Sequence, residues 1–587
     1  MTLEGCSGTP VVHTGWFPSG PGADAPLQLG FVHLPDGGLA RGAVVLCPPV
    51  GMEYTDSYRG LRLAAQQLSA AGLVVVRFDY PGTGDSLGEQ THPAAVRRWL
   101  AGTAAAVALA RSTGVTDVAL VGLRVGALLA AQVAAAVGPL RALALWDPVL
   151  RGRALLRHQM AIYRIAVGGV EGDDSVVSLP ALVLHRAASA ELAALRVDAA
   201  ALVGAAPNVL VAARPAGLLP TDLGSLVDTL GATQLELPHQ TDWLERASSH
   251  TRIPAASIGA VTGWLSAAFG SASTPVTSPE LATRVQVGTT TGGEPVYEEL
   301  VRTGPHQLFT IVTRPEVTQR SVVLNASSKE HRVGPARLWT ELARELATAG
   351  AEAVRFDRRG TGESGEVDGA EQTPMYSADA LADALEVAAA LRHDPAQCTF
   401  AGLCSGSWMA YMAAISHRAG AAVLISPVIW TTRTRERRVT AAVAATQRTI
   451  DRVESATGET VGEVEVRSWR RHVKRVLAAR LPYPLWLMLG RAGALQVPEV
   501  ALAALRRAEV RTVVILPPGD YGVFVEQRGA EGLRRLTRRG RPPQLLLPGT
   551  GDHSLLHRAT RRQAMDVVGA VAAGGTPVTA GAQSGAP

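Results

Sequence analysis

The chain repeats itself. Val44-Val45-Leu46, Arg77-Phe78-Asp79, Gly82-Thr83-Gly84 and Ser86 return as Val322-Val323-Leu324, Arg355-Phe356-Asp357, Gly360-Thr361-Gly362 and Ser364, all at one offset of 278. A fixed offset held across about 45 residues is the mark of two homologous domains in tandem. A second kind of repeat follows at a spacing of 280, where Val121-Gly122-Leu123-Arg124-Val125-Gly126 is matched by Ala401-Gly402-Leu403-Cys404-Ser405-Gly406. In both, an apolar strand runs into a glycine-flanked turn and then into a helix-forming run. Such a turn is too sharp for side chains at the glycines, and it thrusts its middle residue to the top of a sheet. The first copy places Arg124 there, a group that cannot deprotonate and attack a carbonyl; the second places Cys404. One half reads as disarmed and the other as armed.

The 587 residues are enough for two cores at about 100 to 250 residues per domain. Along each half, short aliphatic runs alternate with longer Ala/Leu-rich helical stretches, the pattern of a mostly parallel α/β sheet with helices on both faces. The strands are expected near 43–47, 73–78, 117–121, 141–146, 208–212 and 233–237, and again near 321–325, 351–356, 397–401, 421–425, 511–516 and 543–547. Antiparallel strands around 27–34 and 286–313 should open the two sheets. The expected organisation is a first domain over 1–270, a small and polar linker over 271–284, a second domain over 285–572 with a helical cap at about 428–508, and a disordered tail over 573–587.

No basic-then-apolar leader opens the chain, and no apolar run reaches the roughly 18 to 20 residues that span a bilayer. A cytoplasmic protein is expected. Cys6, Cys47, Cys398 and Cys404 lack paired metal spacing and should be thiols there, so neither a metal site, a cofactor nor a disulfide is expected. The net charge of +5 comes from an Arg-rich composition with no nucleic-acid motif beside it.

With its elbows, its Arg-Phe-Asp-x-x-Gly-Thr-Gly-(Asp/Glu)-Ser segments and the late Gly551-Asp552-His553, the chain resembles the α/β-hydrolase superfamily. The second half, with Leu324-Asn325-Ala326, His331 to Leu338 and Gly402 to Gly406, looks like the exosortase-associated or serine-aminopeptidase-like subgroup. The first, with Cys47-Pro48-Pro49, Ser57-Tyr58-Arg59 and Gly122 to Ala127, resembles its companion subgroup. The resemblance implies two tandem hydrolase folds, each carrying a cap insert, with a nucleophile, acid and base arranged in that chain order.

Around Cys404 the chemistry needs an orienting acid, a base and oxyanion donors. Asp520 follows the strand at 511–516 and His553 follows the last strand, so the order Cys404, Asp520, His553 is satisfied. Backbone N–H groups of Ser405 and of Ala326 or Ser327 would form the oxyanion hole. Ser405 is the competing nucleophile, Asp552 the competing acid, and His331 and His557 the histidines to consider should His553 not serve. An aspartate in Pro518-Gly519-Asp520-Tyr521 also suits plain turn chemistry. Asp79 and Asp357 read as satisfying backbone groups in their glycine-rich turns.

The first half departs from the same template at each position. Arg124 holds the nucleophile site, Val209 to Pro215 carries no acid, and Trp243 aligns with His553, leaving His239 out of register. It reads as a pseudo-hydrolase whose Arg124 either binds an anionic group or is paired within the fold. In the second half the cap sets Arg433, Arg435, Arg437, Arg438, Arg467, Arg470, Arg471, Lys474 and Arg475 among Trp430, Trp469, Tyr483 and Trp486. That basic face is either solvated or receives an acidic carrier protein or coenzyme A phosphates. The expected activity is hydrolysis of an acyl ester or thioester through an acyl-enzyme. The alternatives are transfer of the acyl group to an amine or alcohol, or a non-catalytic scaffold of two hydrolase folds. The substrate is thus an acyl group, free or carried by protein or coenzyme A; oligomeric state has no signature in the sequence.

Overall fold

The computed structural model describes residues 11–22, 24–169, 171–215, 222–245, 253–367, 375–434, 481–538, 540 and 542–576. The chain divides into two compact units, one formed by Met1–Arg164 with Gly172–Val287, the other by Ile165–Glu171 with Gly288–Pro587.

In the first unit an eight-stranded sheet, counted among the described residues, contains β1 (Val11–Pro18), β2 (Leu27–Leu34), β3 (Ala43–Cys47), β4 (Val74–Phe78), β5 (Val118–Leu123), β6 (Ala142–Trp146), β7 (Asn208–Ala213) and β8 (Thr233–Glu236). Their order across the sheet is β1-β2-β4-β3-β5-β6-β7-β8. β1 and β2 are antiparallel, β2 is antiparallel to β4, and the rest run parallel. Val44, Leu46, Val75 and Val121 face one side with Leu61, Ala64 and Leu68 of α1 (Met52–Ala70); Val45, Val74, Val76 and Leu120 face the other with Trp99 and Val107 of α2 (Ala95–Ser112) and Leu128 of α3 (Val125–Ala134). Because both faces are covered, the central strands are continuously apolar and lack the alternation of a half-exposed sheet. Each fully buried Val or Leu contributes about 1.5–3 kcal/mol by leaving water. Residues within the expected linker are tied back along this unit: Thr274 and Pro275 pair with Ala40 and Leu39, and Trp16 bridges to Ala282.

The second unit repeats the plan with nine strands among the described residues: β9 (Arg284–Thr289), β10 (Pro295–Thr303), β11 (Leu308–Pro315), β12 (Ser321–Asn325), β13 (Glu352–Phe356), β14 (Cys398–Leu403), β15 (Ala421–Ile425), β16 (Arg511–Ile515) and β17 (Gln544–Leu546). They lie in the order β9-β10-β11-β13-β12-β14-β15-β16-β17, so the parallel part matches that of the first unit strand for strand. α4 (Leu338–Thr348) and α7 (Arg558–Ala572) cover one face, α5 (Ala378–Ala389) and α6 (Ser405–His417) the other. The fold is α/β in both units. Asn325 pairs with Gly402, Leu403 with Ile425, and Ile425 with Ile515, so β12, β14, β15 and β16 end flush at one edge. Every loop that carries a candidate site residue leaves from that edge.

The repeated Asp and Ser turn out to serve architecture. Asp357 accepts the Arg332 and Glu363 N–H groups, each at 2.8 Å, and pairs with the Arg332 guanidinium at 2.6 Å; Ser364 Oγ donates to Asp357 O and accepts the Phe309 N–H at 2.9 Å. In the first unit Asp79 likewise accepts the Asp85 N–H at 3.0 Å and the Tyr54 hydroxyl at 2.6 Å, and Ser86 joins Asp79 O to the Leu29 N–H.

Of the expected cap, residues 435–480 lie outside the described residues, and with them all of its basic positions except Arg433. From its C-terminal part, Tyr483 and Trp486 are buried on a helix over Tyr483–Arg491, with the Arg528 guanidinium over both rings. The expected tail falls outside from residue 577 on. Among the described residues no helix is long and apolar enough to cross a membrane, and no group of three or more His, Cys, Asp or Glu is placed to hold a metal ion.

Candidate active site

β14 delivers Cys404 into a left-sided backbone conformation, φ 54 and ψ −115, at the N-cap of α6. A non-glycine residue held there is strained, and the surrounding turn must enforce it. Two glycines permit the enforcement. A Cβ on Gly402 would lie 2.2 Å from Gly406 O, and one on Gly406 would lie 2.2 Å from Asn325 O. The turn is closed by the Cys404 N–H donating to Ile425 O at 2.9 Å and by Ser407, whose hydroxyl sits 2.7 Å from both Gly402 O and Ile425 O. Cys404 is partly exposed, whereas Cys47 and Cys398 are buried. Burial pushes the Cys398 thiol up to about 11 and the Cys47 thiol beyond the useful range, which removes both as neutral-pH nucleophiles.

The other two members of the expected triad are brought together. Asp520 lies in the first turn of the helix over Pro518–Glu526, after β16, and His553 lies in the loop between β17 and α7. Their side chains meet with His553 Nδ1 2.7 Å from Asp520 Oδ1. Burial alone would push His553 below the usual histidine range, but the Asp520 carboxylate and the Cys404 sulfur, each by charge and by hydrogen bonding, hold it well above. Burial would likewise raise Asp520; the facing His553, with a smaller contribution from Ser426, keeps it below the ordinary carboxylate value. An imidazole bonded to a carboxylate through Nδ1 keeps Nε2 for a further partner, and Cys404 is the second group, after Asp520, that raises His553.

The remaining expected residues have separate places. Ser405 is buried, and its Oγ accepts the Ser328 N–H at 2.7 Å. It ties the loop carrying Ala326 and Ser327 to the start of α6, and Ala326 and Ser327 are themselves mostly buried beside the elbow. Asp552 accepts the N–H groups of Ser554, Leu556 and His557 at 3.0, 3.1 and 2.9 Å, while the His553 ring is bonded to Asp520. His331 is buried next to Arg332, whose side chain serves Asp357, and His557 accepts the Thr560 N–H as the N-cap of the last helix.

Two residues beside Cys404 escape a reading of motifs. Ser426, at φ 50 after β15, reaches toward Asp520. Tyr376 is buried, has φ 64 and sets its ring edge-on to Trp408 at 5.7 Å; burial first, and then the Cys404 charge, push its phenol well above the usual value. Ser426 stands where the repeat has Asp147, and Tyr376 belongs to no motif.

The equivalent place in the first unit is filled by charge. Arg124 takes φ 56 and ψ −120, nearly the conformation of Cys404, and its N–H donates to Trp146 O at 3.0 Å as Cys404 does to Ile425 O. Its guanidinium lies 3.1 Å from Glu53, 3.5 Å from Asp147 and 3.5 Å from Glu245. Arg214, just past β7, pairs with Asp147 at 2.9 Å and Glu245 at 2.8 Å. Burial raises Glu245, but Arg214 and then Arg124 more than reverse this and hold it low. Two arginines therefore face three carboxylates among the described residues, so Arg124 is paired within the fold. Trp243 is buried, donates its indole N–H to Asp56 O at 3.0 Å, and packs on Trp146 with ring centres 5.5 Å apart. His239 is exposed.

Residues 327–577 match the alpha/beta hydrolase family. Among solved structures the chain is similar to Est1E from Butyrivibrio proteoclasticus with bound ferulic acid, at 17% identity over 42% of this chain and 96% of that one, with a TM-score of 0.33. It is also similar to an esterase of Pyrococcus furiosus, at 14% identity over 44% and 92% of the two chains with a TM-score of 0.32. The thioesterase domain from the curacin biosynthetic pathway matches at 14% identity over 46% and 99%, with a TM-score of 0.27. No curated protein matches the chain. At these identities the likeness is one of fold.

Proposed function

We propose that the second unit is an acyl-ester or thioester hydrolase acting through a Cys404 acyl-enzyme, with His553 as base and Asp520 as its orienting acid. The observation that supports this reading is the 2.7 Å contact of His553 with the Asp520 carboxylate, in a histidine held above its ordinary range by that carboxylate and then by Cys404. The family match over residues 327–577 supports a hydrolase-type activity for the same region.

In acylation the Cys404 sulfur attacks the carbonyl carbon and its proton resides on His553. The carbonyl electrons move to oxygen, which is received by the N–H of Ser405 and by that of Ala326 or Ser327. Collapse expels the alkoxide or thiolate, which takes the proton from His553, and a thioester to Cys404 remains. In deacylation His553 accepts a proton from water as the water attacks; the C–S bond breaks, the sulfur keeps its electrons, and the acid leaves. Asp520 holds the imidazole in one tautomer and offsets its charge in both steps.

The first unit, in this reading, is non-catalytic. The Arg124, Arg214, Glu53, Asp147 and Glu245 network supports that view, since it fills the place of a nucleophile with internally paired charge. The test is turnover of a panel of acyl esters and acyl thioesters by the whole chain and by its Cys404→Ala and Arg124→Ala forms. Loss of all activity in the first variant with retention in a folded second supports the assignment; activity that survives Cys404→Ala removes it.

A further inference from the structure

Ser328 is held on both sides. Its N–H donates to Ser405 Oγ at 2.7 Å, and its carbonyl accepts the Arg358 guanidinium. It follows Ala326 and Ser327 after β12 and sits at φ 44, a conformation that a non-glycine residue keeps where its surroundings impose it. One of the two bonds comes from the start of α6 and the other from the turn after β13. Arg358 stands next to Asp357 in that turn, is 4% exposed, and has its own carbonyl fixed by the Thr361 N–H at 3.0 Å and the Thr361 hydroxyl at 2.8 Å. The guanidinium therefore reaches Ser328 from a turn that is already set.

The first unit makes the same reach to a different end. The offset of 278 puts Tyr80 at the place of Arg358, and Pro48-Pro49 at that of Ala326-Ser327. The elbows confirm this register: a Cβ on Gly126 would meet Cys47 O at 2.2 Å and Pro48 O at 2.7 Å, as one on Gly406 would meet Asn325 O at 2.2 Å and Ala326 O at 2.9 Å. The Tyr80 hydroxyl donates to Pro48 O at 3.0 Å. Proline has no N–H, so the reach in the first unit ends on a loop with no donor at either position. In the second unit it is made by a cation, and the loop it steadies has an N–H at both.

Resting on the reading of Cys404 as nucleophile, we infer that Arg358 is a positioning residue for the oxyanion. Together with Ser405 it fixes the Ser328 peptide, and through it the N–H groups of Ala326 and Ser327 that receive the carbonyl oxygen. Its effect belongs to the moment when charge gathers on that oxygen. In acylation the S–C bond forms as the carbonyl electron pair moves to oxygen; the pair returns as the leaving group departs with its own electrons and takes the proton from His553. Donors help this step only when they already stand where the negative oxygen will be. A reaction of the same sulfur that makes no oxyanion gains nothing from them. With iodoacetamide the Cys404 sulfur displaces iodide from a saturated carbon, the bonding pair leaves with the iodide, and the amide carbonyl takes no part. One reaction thus reports on the sulfur and the other on the loop as well.

Arg358→Met keeps a long apolar stem and deletes the guanidinium. Both reactions are followed by intact mass on the whole chain, with Cys404→Ala as the blank. The variant should be alkylated by iodoacetamide at a rate within about threefold of wild type, but acylated by an acyl thioester about 10- to 100-fold more slowly, a smaller loss than removal of an oxyanion donor itself. The maximal rate of acylation should fall more than the half-saturating thioester concentration rises, since the interaction is made in the transition state. Arg358→Lys, which keeps a cation of similar reach, should recover part of the acylation rate. If Arg358→Met does not fold, the lysine variant decides alone: slowed acylation at unchanged alkylation supports the inference, and wild-type rates in both reactions overturn it. Acylation of Arg358→Met at the wild-type rate, or an equal loss in the two reactions, would overturn the role of Arg358 and leave the Cys404 assignment standing. Absence of any acyl adduct in a wild type that iodoacetamide still alkylates at Cys404 would remove the acyl-enzyme reading itself, and this inference with it.

Discussion

Ser405 Oγ accepts the backbone N–H of Ser328 at 2.7 Å, and this one bond separates the two hydroxyl- or thiol-bearing residues of the elbow by task. Ser405 is buried and spends its oxygen on the loop after β12, while Cys404 beside it is partly exposed and helps to hold His553 above its ordinary range. Ser405→Ala should remove the bond between the Ser328 N–H and the Ser405 hydroxyl, at a cost of about 0.5–1.5 kcal/mol. Acylation should slow, because the loop bearing Ala326 and Ser327 loosens, but the acyl group should still be found on Cys404. Thermal unfolding and peptide mapping check the two parts; an adduct lost in Ser405→Ala and kept in Cys404→Ala would contradict them.

The Asp520–His553 pair predicts a pH window for stability. His553 lies above its ordinary value of 6.5 in the folded protein, so its contribution is complete below that value and is lost as pH rises through the higher folded one. Asp520 lies below its ordinary 3.8, so its contribution is complete above that value and is lost as pH falls through the lower folded one. The difference in melting temperature between wild type and Asp520→Asn should be greatest from about pH 4 to pH 6.5 and shrink on either side. A difference that does not change with pH would refute the pairing.

Arg124→Ser exposes the logic of the first unit. Removing one arginine leaves Asp147 and Glu245 to Arg214 and Glu53 to the Gln159 amide, without its cation, and stranding a buried carboxylate costs about 3–5 kcal/mol. Chemical denaturation should show that loss, partly recovered at acidic pH as carboxylates protonate. No acyl adduct should form at the new serine, since Trp243 is buried in the core and presents no base. An adduct on any residue before 270 would overturn the reading of this unit as non-catalytic.

Gly402→Ala should be among the most damaging single-methyl changes in the second unit. Its Cβ would meet Gly406 O at 2.2 Å, a backbone atom that cannot give way without undoing the elbow. Expression as unfolded protein, or a melting temperature lowered by several degrees with loss of thiol reactivity at Cys404, is the expected outcome; a variant as stable and as reactive as wild type would show the turn to be looser than described.

Much of the fold was legible because the central strands are buried on both faces: Val322-Val323-Leu324 and Ala421 to Ile425 stand out as unbroken apolar runs wherever they occur. The elbow glycines were legible for a related reason, since the sterics that require them are local. Asp520 and His553 could be named from their order after successive strands. Tyr376 could not, because nothing local marks a buried tyrosine whose phenol is influenced by a cysteine 28 positions later in the chain. The charge network of the first unit was hidden in the same way. Glu53, Asp147, Arg214 and Glu245 come from four separate elements, and only the shared sheet edge assembles them around Arg124.

The most direct test of the central claim is the site of acylation. Whole protein is incubated with an acyl thioester, quenched in acid and digested, and the peptide bearing the acyl mass is sequenced. The account predicts a single modified residue, Cys404, with the adduct formed at least about 10³-fold more slowly in His553→Ala. Acyl mass on Ser405 or in the first unit, or adduct formation at Cys404 at an undiminished rate in His553→Ala, would contradict it.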